Sequence, residues 1–161
     1  TSTILIELDI LTELNKEIVI IATTNLYQNF DKALTRRFDA VINFNRYNKQ
    51  DLIDIAEFIF SSFVKNFKNV SKDVRLFKKI LNLSEDLPYP GELKNIIKTS
   101  LAFSDINNSF DYLKRLYSSL IGNLDKTTVK QLHKQGFTVR EIEKLTGEPK
   151  STVSRKLNEG E

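Results

Sequence analysis

From residue 49 to the end of the chain, apolar residues recur every three or four positions, which is the spacing of amphipathic helices. Two earlier segments break this pattern, residues 17–23 (EIVIIAT) and 40–45 (AVINFN), which are short apolar runs rich in β-branched residues. A continuous run such as residues 17–23 is typical of a strand that is buried on both faces of a parallel sheet. The sequence therefore predicts a mostly α fold with a small α/β portion at its N-terminal end.

Start and stop residues divide the helical part into separate helices. After a helical segment at residues 3–14 and one or two turns at 31–37, the predicted helices are 49–63, 71–83, 90–104, 109–121, 126–135, 139–145 and 150–158. The expected caps and first-turn residues are Asp31, Ser71, Pro90 and Thr138, and the expected stops are Gly122 and Gly136. The first of the long helices places Leu52, Ile55, Ala56 and Ile59 on one apolar stripe.

Composition excludes several kinds of site. The 161 residues include no cysteine and a single histidine, so disulfides, thiolate metal sites and histidine-based metal centres are not expected. No apolar run is long enough to span a membrane and no signal peptide is recognisable, so we expect a cytoplasmic protein. A net charge of +3 is only weak evidence for a nucleic-acid partner. Because the chain begins with threonine and contains no methionine, we expect a piece of a longer protein.

Two candidate sites follow the first predicted strand. Asn25 lies at its carboxyl end, where an amide can orient a water molecule near a phosphate, although an asparagine there can also simply cap a turn. Arg36 and Arg37 end the short helical segment at residues 31–37. An arginine guanidinium stays charged and can fork onto phosphate oxygens, whereas two adjacent arginines can equally be a solvated surface pair.

The segments IVIIATTN, FDKALTRRFDAVINF and YPGELKNIIKTSLAF together resemble the end of an AAA+ ATPase core and its helical lid. The resemblance implies the sensor-1 position for Asn25 and an arginine finger at Arg36 or Arg37, without deciding which of the two reaches a neighbour's phosphate. It also implies a homo-oligomeric ring, usually a hexamer, with ATP and Mg²⁺ as cofactors of the intact parent. Gly91 and Lys94 match the sensor-2 stretch, where many relatives have an arginine. Lys94 can contact phosphate only as a point charge and can also be a plain surface residue.

The sequence also lacks parts of an AAA+ site. No G-x-x-x-x-G-K-[ST] phosphate-binding loop occurs among the 161 residues, and no strand ending in an acidic Walker-B pair is present. We therefore expect this chain alone neither to bind ATP tightly nor to hydrolyse it.

The segment GFTVREIEKLTGEPKSTVSRKL is similar to the helix-turn-helix of bacterial regulators and recombinases. Its expected core, with the preceding helix, is Val129, Leu132, Phe137, Val139, Ile142, Leu145, Val153 and Leu157. The resemblance places the third helix in the major groove of double-stranded DNA, with Arg155 as the base contact. The residues implied to face DNA are Lys150, Ser151, Thr152, Ser154, Arg155 and Lys156. One departure is Glu143, where a small residue is usual, and the alternative is a three-helix module that docks onto a protein.

These expectations define three domains and one function. The domains are the end of an AAA+ α/β core at residues 1–47, a helical lid at 48–122 and a helix-turn-helix at 123–161. The predicted function is that of part of an AAA+ ATPase, which binds and hydrolyses ATP in an oligomeric ring and is recruited to DNA. Two alternatives stay open: a DNA-binding or regulatory module without ATPase activity, and an inactive gene remnant.

Overall fold

The computed structural model describes residues 7, 10, 19–29, 31–44 and 46–159 of the chain. The helix predicted at residues 3–14 and the start of the first predicted strand fall mostly outside these residues. The chain divides into two compact units, Thr1–Phe44 and Asn45–Glu161. Among the helices described, those longer than four residues all belong to the second unit, and none of them is both long and apolar enough to cross a lipid bilayer.

In the described part of the first unit, Glu7 and Ile10 are helical, and residues 19–44 contain a 3-10 turn (Tyr27–Asn29) and a short helix, α1 (Lys32–Thr35). The Asp31 carboxylate accepts a hydrogen bond from the Ala33 N–H at 2.8 Å, so the predicted cap at Asp31 is confirmed. Acceptance of an otherwise unsatisfied N–H is the reason that aspartate favours the start of a helix. The helix is therefore set by a local capping interaction.

Neither predicted strand forms in the described part of the first unit. Residues 19–23 and 40–43 have no regular secondary structure. The side chains of Val19, Ile21 and Ile42 are 83, 84 and 76% exposed, so they are not buried between sheet faces. The prediction of two strands is wrong for these residues. A strand takes its backbone hydrogen bonds from a neighbouring strand, and the described residues offer it none, so a β-branched apolar run is not sufficient.

Four helices form the first part of the second unit, and each lies within a predicted segment: α2 (Lys49–Phe63), α3 (Val74–Leu83), α4 (Pro90–Ala102) and α5 (Asp111–Leu120). The helical prediction for this region is confirmed. The prediction that Ser71 caps α3 is wrong, because Asp73 accepts the hydrogen bond from the Leu76 N–H at 3.0 Å. The Ser71 carbonyl instead accepts a hydrogen bond from the Tyr112 hydroxyl of α5 at 3.1 Å.

A stack of three buried aromatic rings lies at the centre of these helices. The centroid of the Phe60 ring lies 4.3 Å from that of Phe77 and 5.4 Å from that of Tyr112. The buried residues of α2 are Leu52, Ile53, Ala56 and Phe60. Ile55 and Ile59 of the predicted stripe are partly buried, and Ile59 packs against the core. Both sets of residues have helical spacing, and packing against α3 and α5 selects the face that carries the large Phe60 ring.

A 3-10 turn (Leu124–Lys126) and three short helices complete the second unit: α6 (Val129–Lys134), α7 (Val139–Thr146) and α8 (Lys150–Asn158). Thr138 caps α7 in a capping box, as predicted, and Thr128 does the same for α6. α7 ends at Gly147, whose φ of 75° is a left-handed conformation that glycine adopts without a steric penalty. Of the expected core residues, Val139 and Leu157 are partly buried and the others are buried.

The last three helices share one continuous hydrophobic core with α2 to α5. Tyr117 of α5 illustrates the junction: its ring lies 6.2 Å from the ring of Phe137, and its hydroxyl donates to Gln135 Oε1 at 2.8 Å. The domain boundary predicted between residues 122 and 123 does not coincide with a gap in this core. That boundary stays a prediction.

Candidate functional site

Asn25 lies at an exposed bend directly after residues 19–23. The hydroxyl of Thr24 accepts a hydrogen bond from the Leu26 N–H at 3.0 Å, and the 3-10 turn follows. Thr24 therefore provides the side-chain hydrogen bond of this turn, which is a common role for a threonine hydroxyl. The exposed amide of Asn25 suits the phosphate-sensing role predicted for it, and that role stays a prediction.

Arg36 and Arg37 follow α1 and are held differently. The Arg37 guanidinium donates from Nη1 to the Ala33 carbonyl at 3.0 Å, so it binds the last turn of its own helix. A cation beside the terminal carbonyls of a helix is favourable, because these carry partial negative charge. Arg36 is the C-cap residue of α1, and its side chain is exposed. The hydrogen bond to the Ala33 carbonyl therefore distinguishes Arg37 from Arg36, which the sequence alone does not.

Gly91 and Lys94 lie in the first turns of α4, and both are exposed. A Cβ atom added to Gly91 would have no heavy atom within 4 Å, so packing inside the chain does not require a glycine there. The fully buried Leu93 anchors the same turn to the core. Lys94 is thereby presented to solvent by a well-anchored helix, which is compatible with both of its predicted roles.

Asn25, Arg36, Arg37 and Lys94 are the candidate phosphate contacts among the described residues. The sequence contains no phosphate-binding loop, and in the part of the chain that the structure describes no cluster of acidic or histidine side chains is placed to hold a metal ion. The residues whose chemistry suits a phosphate are Asn25, Arg36, Arg37 and Lys94, and all are exposed. Each of them, taken within its own unit, can offer an amide dipole or a positive charge to a phosphate that is held by other groups.

α8 turns an apolar edge to the core and its polar side chains to solvent. Val153 is buried and Leu157 is partly buried. Of the residues implied to face DNA, Lys150, Ser151, Arg155 and Lys156 are exposed, and Thr152 and Ser154 are partly buried. Ser151 and Arg155 are four residues apart and lie on the side of α8 opposite Val153. Four of the six residues are therefore accessible to a ligand, and the contact of all six with DNA stays a prediction.

Three carboxylates surround this surface. Glu143 Oε1 accepts a hydrogen bond from the Lys150 N–H at 2.9 Å, while Pro149, the residue before α8, makes no side-chain cap. The Glu143 carboxylate therefore caps α8, which explains a residue that departs from the helix-turn-helix pattern.

The other two carboxylates pair with basic side chains of α8. Glu148 Oε1 lies 2.7 Å from Lys156 Nζ, and Glu159 Oε1 lies 3.3 Å from Arg155 Nε. The sequence analysis did not identify these pairs. Pro149, immediately before α8, is the local sequence signal that another residue caps this helix, because a proline side chain cannot accept a hydrogen bond.

Two lysines fasten α7 to the preceding helices, and we call these contacts the lysine clasps. Lys79 Nζ of α3 lies 2.6 Å from Glu141 Oε2 and donates to the Gly136 carbonyl at 2.8 Å. Lys144 Nζ of α7 lies 2.7 Å from Asp73 Oδ2 and 4.6 Å from the centroid of the Phe110 ring. The clasps hold α7 in a defined orientation on α3 and α5. They join residues 62 and 71 positions apart, so no local sequence signal predicts them.

The clasp carboxylates are stabilised in their charged forms. Burial raises the pKa of Asp73, but hydrogen bonds from Lys144 and the Leu76 N–H outweigh it, and the pKa lies below the ordinary value of 3.8. Burial likewise raises the pKa of Glu141, and hydrogen bonds from Lys79 and the Thr138 N–H bring it below 4.5. Each clasp is therefore an ion pair at neutral pH.

Comparison with known proteins gives one match. The sequence model of the family described as "ATPase family associated with various cellular activities (AAA)" matches residues 1–46. The match includes Asn25, Arg36 and Arg37 and ends before α2. No curated protein and no solved structure matches the sequence. The match supports the resemblance to an AAA+ ATPase over residues 1–46. The YPGELKNIIKTSLAF segment, which also carries that resemblance, lies outside the match.

Proposed function

We propose that this chain supplies the final part of an AAA+ ATPase core, its helical lid and a helix-turn-helix that binds double-stranded DNA. The match of the AAA family to residues 1–46 is the observation that carries the proposal. It is followed directly by the four helices α2 to α5, as a lid follows an AAA+ core. In this proposal ATP and Mg²⁺ act in the intact protein, in a homo-oligomeric ring.

Within such a ring we assign Arg36 as the residue that reaches the phosphate of a neighbouring subunit. Arg37 already donates to Ala33, whereas Arg36 extends into solvent beside it. Asn25 would act as the phosphate-sensing amide of the chain's own subunit, and Lys94 keeps its separate sensor-2 assignment. An arginine delivered across an interface stabilises the negative charge that develops on the transferred phosphoryl group.

The arginine assignment is tested in a form of the protein that includes a phosphate-binding loop. Arg36→Ala should lower kcat for ATP about a thousandfold without changing the oligomer, because one transition-state cation is removed. Arg37→Ala is the matched control and should lower kcat less. Equal losses in the two variants would contradict the assignment, and no loss in either would contradict the finger itself.

The 161-residue chain by itself should not turn over ATP, because its sequence has no phosphate-binding loop. Release of inorganic phosphate from ATP and Mg²⁺, measured with the purified chain, checks this. A rate that survives further purification and depends on chain concentration would show that the chain holds a nucleotide site of another kind.

The DNA-binding part is tested with a labelled duplex by fluorescence anisotropy at low and moderate salt. Binding should weaken as salt rises, because phosphate contacts release counterions. Arg155→Ala should weaken it about tenfold or more, as expected for a guanidinium that contacts a base. Arg75→Ala removes the same charge from an exposed position on α3 and is the control. Absence of binding at low salt would favour the protein-docking alternative.

A further inference from the structure

The chain's own carboxylates adjoin the basic side chains of α8. Its basic side chains are Lys150, Arg155 and Lys156, and its adjoining carboxylates are Glu143, Glu148 and Glu159. Lys130 of α6 also reaches the end of α8, where its Nζ donates to the Glu159 carbonyl at 3.2 Å, so four positive and three negative groups leave a positive excess of only one. A helix that binds DNA through phosphate contacts needs an excess of positive charge, because affinity depends on displacing counterions from the duplex.

The Glu143 carboxylate lies at the N-terminal end of α8, where a DNA phosphate would bind. Its carboxylate accepts the Lys150 N–H at the start of α8, and Glu143 is itself partly buried. The first N–H groups of a helix carry partial positive charge and are the groups that receive an external phosphate. Because a carboxylate of the chain already fills this place, a DNA phosphate arriving there meets a negative charge instead of a donor.

Glu159 acts on the side chain assigned to base recognition. It lies four residues after Arg155 and pairs with its Nε at 3.3 Å, with the two side chains 62 and 70% exposed. An exposed pair of this kind is weak and opens readily. The guanidinium can therefore turn to DNA, but Glu159 stays near the duplex when it does so.

We propose that Glu143 and Glu159 limit the affinity of α8 for double-stranded DNA by holding, from within the chain, the places that DNA phosphates and base edges would take. This inference rests on the DNA-binding function proposed above. It adds that the two carboxylates set how tightly one copy binds. Removal of either negative charge should therefore strengthen binding.

The test uses the full chain and a labelled duplex at about 50 mM salt, where charge effects are large. Glu143→Gln keeps an acceptor oxygen for the Lys150 N–H and removes the charge. Glu159→Gln does the same at an exposed position, so it leaves folding intact even if the first variant does not fold. Each should tighten Kd about threefold to fivefold, the effect of one unit charge a few ångströms from a phosphate.

Glu85→Gln is the matched control, because it changes the net charge equally from the exposed loop between α3 and α4. It should leave Kd nearly unchanged, and the gain of the two α8 variants should shrink at about 0.5 M salt. In an Arg155→Ala background the gain from Glu159→Gln should be smaller, because only the repulsion between Glu159 and the duplex is then removed. Chemical denaturation of each variant verifies that the fold is kept.

Two results would overturn the inference in distinguishable ways. If the wild-type chain binds the duplex and Glu143→Gln and Glu159→Gln bind no more tightly than Glu85→Gln, the carboxylates do not limit affinity and the DNA-binding function stands. If neither the wild-type chain nor any variant binds the duplex at low salt, both the inference and the DNA-binding function are wrong.

Discussion

Both units of this chain contain apolar segments, but the burial of their side chains differs. In the described part of the first unit no side chain is buried, and Val41, Ile42 and Phe44 are more than half exposed. In the second unit a continuous core runs through all seven helices from α2 to α8. A helix satisfies its backbone hydrogen bonds within itself, whereas a strand depends on a neighbour. This difference shows that an apolar segment contributes to a core only where its backbone N–H and C=O groups have hydrogen-bond partners.

The largest expected contrast is in hydrogen exchange of the backbone amides. Among the described residues, those at 19–23 belong to no helix or strand, whereas the amides of α2 and α5 lie in helices packed on the core. The core amides should exchange about a thousandfold or more slowly than those of residues 19–23, because only global unfolding exposes them. Mass spectrometry of the monomer measures this. Strong protection of residues 19–23 in a monomer would break the comparison.

The next contrast concerns phenylalanine side chains. Phe60→Ala should destabilise the second unit by about 3–5 kcal/mol, because it removes a fully buried ring from the aromatic stack. Phe58→Ala, on the same helix at 77% exposure, and Phe44→Ala, at 72% exposure in the first unit, should each cost less than about 0.5 kcal/mol.

Urea denaturation followed by circular dichroism gives these free energies of unfolding. A loss for Phe44→Ala as large as that for Phe60→Ala would show that the first unit has a core of its own. The free energy lost in Phe58→Ala gives the effect of removing an exposed ring from α2. Any larger loss in Phe60→Ala is therefore due to burial.

The lysine clasps should make the stability of the second unit depend on pH. The folded-state pKa values of Asp73 and Glu141 lie below their ordinary values of 3.8 and 4.5, so the folded chain binds fewer protons than the unfolded chain. Their stabilisation is thus present above these ordinary values and is lost as the pH falls through the folded-state values.

Asp73→Asn tests the clasp, because asparagine keeps the cap of α3 and loses the charge. It should cost about 1–2 kcal/mol at neutral pH and flatten the loss of stability below about pH 4. Unfolding midpoints measured across this range provide the check.

If α6 to α8 unfold separately from α2 to α5 in the wild type, the domain boundary at residues 122 and 123 is supported and the clasps do not couple the two parts.

The smallest expected effect contrasts two glycines. Gly147→Ala should cost about 1 kcal/mol, because an alanine at φ of 75° is sterically strained. Gly91→Ala should be neutral or slightly stabilising, since its Cβ meets open space at the start of a helix. Thermal denaturation of both variants compares them directly. A large cost at Gly91 would indicate a packing role that the structure does not show.

Much of the second unit was predictable because its signals are local. The bounds of α2 and α8, the Thr138 cap and the Gly122 and Gly136 stops were read from the sequence, since caps and helical spacing act within a few residues. For the candidate site, the sequence predicts only which residues take part. That Arg37 binds its own helix while Arg36 does not depends on side-chain geometry that residue type leaves open.

The sequence by itself determined the helical character from residue 49 onward, because helical spacing and caps are short-range patterns of residue type. It also carries the AAA+ resemblance, which extends into α4 beyond the residues 1–46 that the family model matches. Only the tertiary structure decided which face of α2 is buried, that α7 is clasped by Lys79 and Asp73, and that Glu143 caps α8. These contacts join distant residues through packing and charge. The same distinction explains the strands that did not form, because a strand is a property of two segments and not of one.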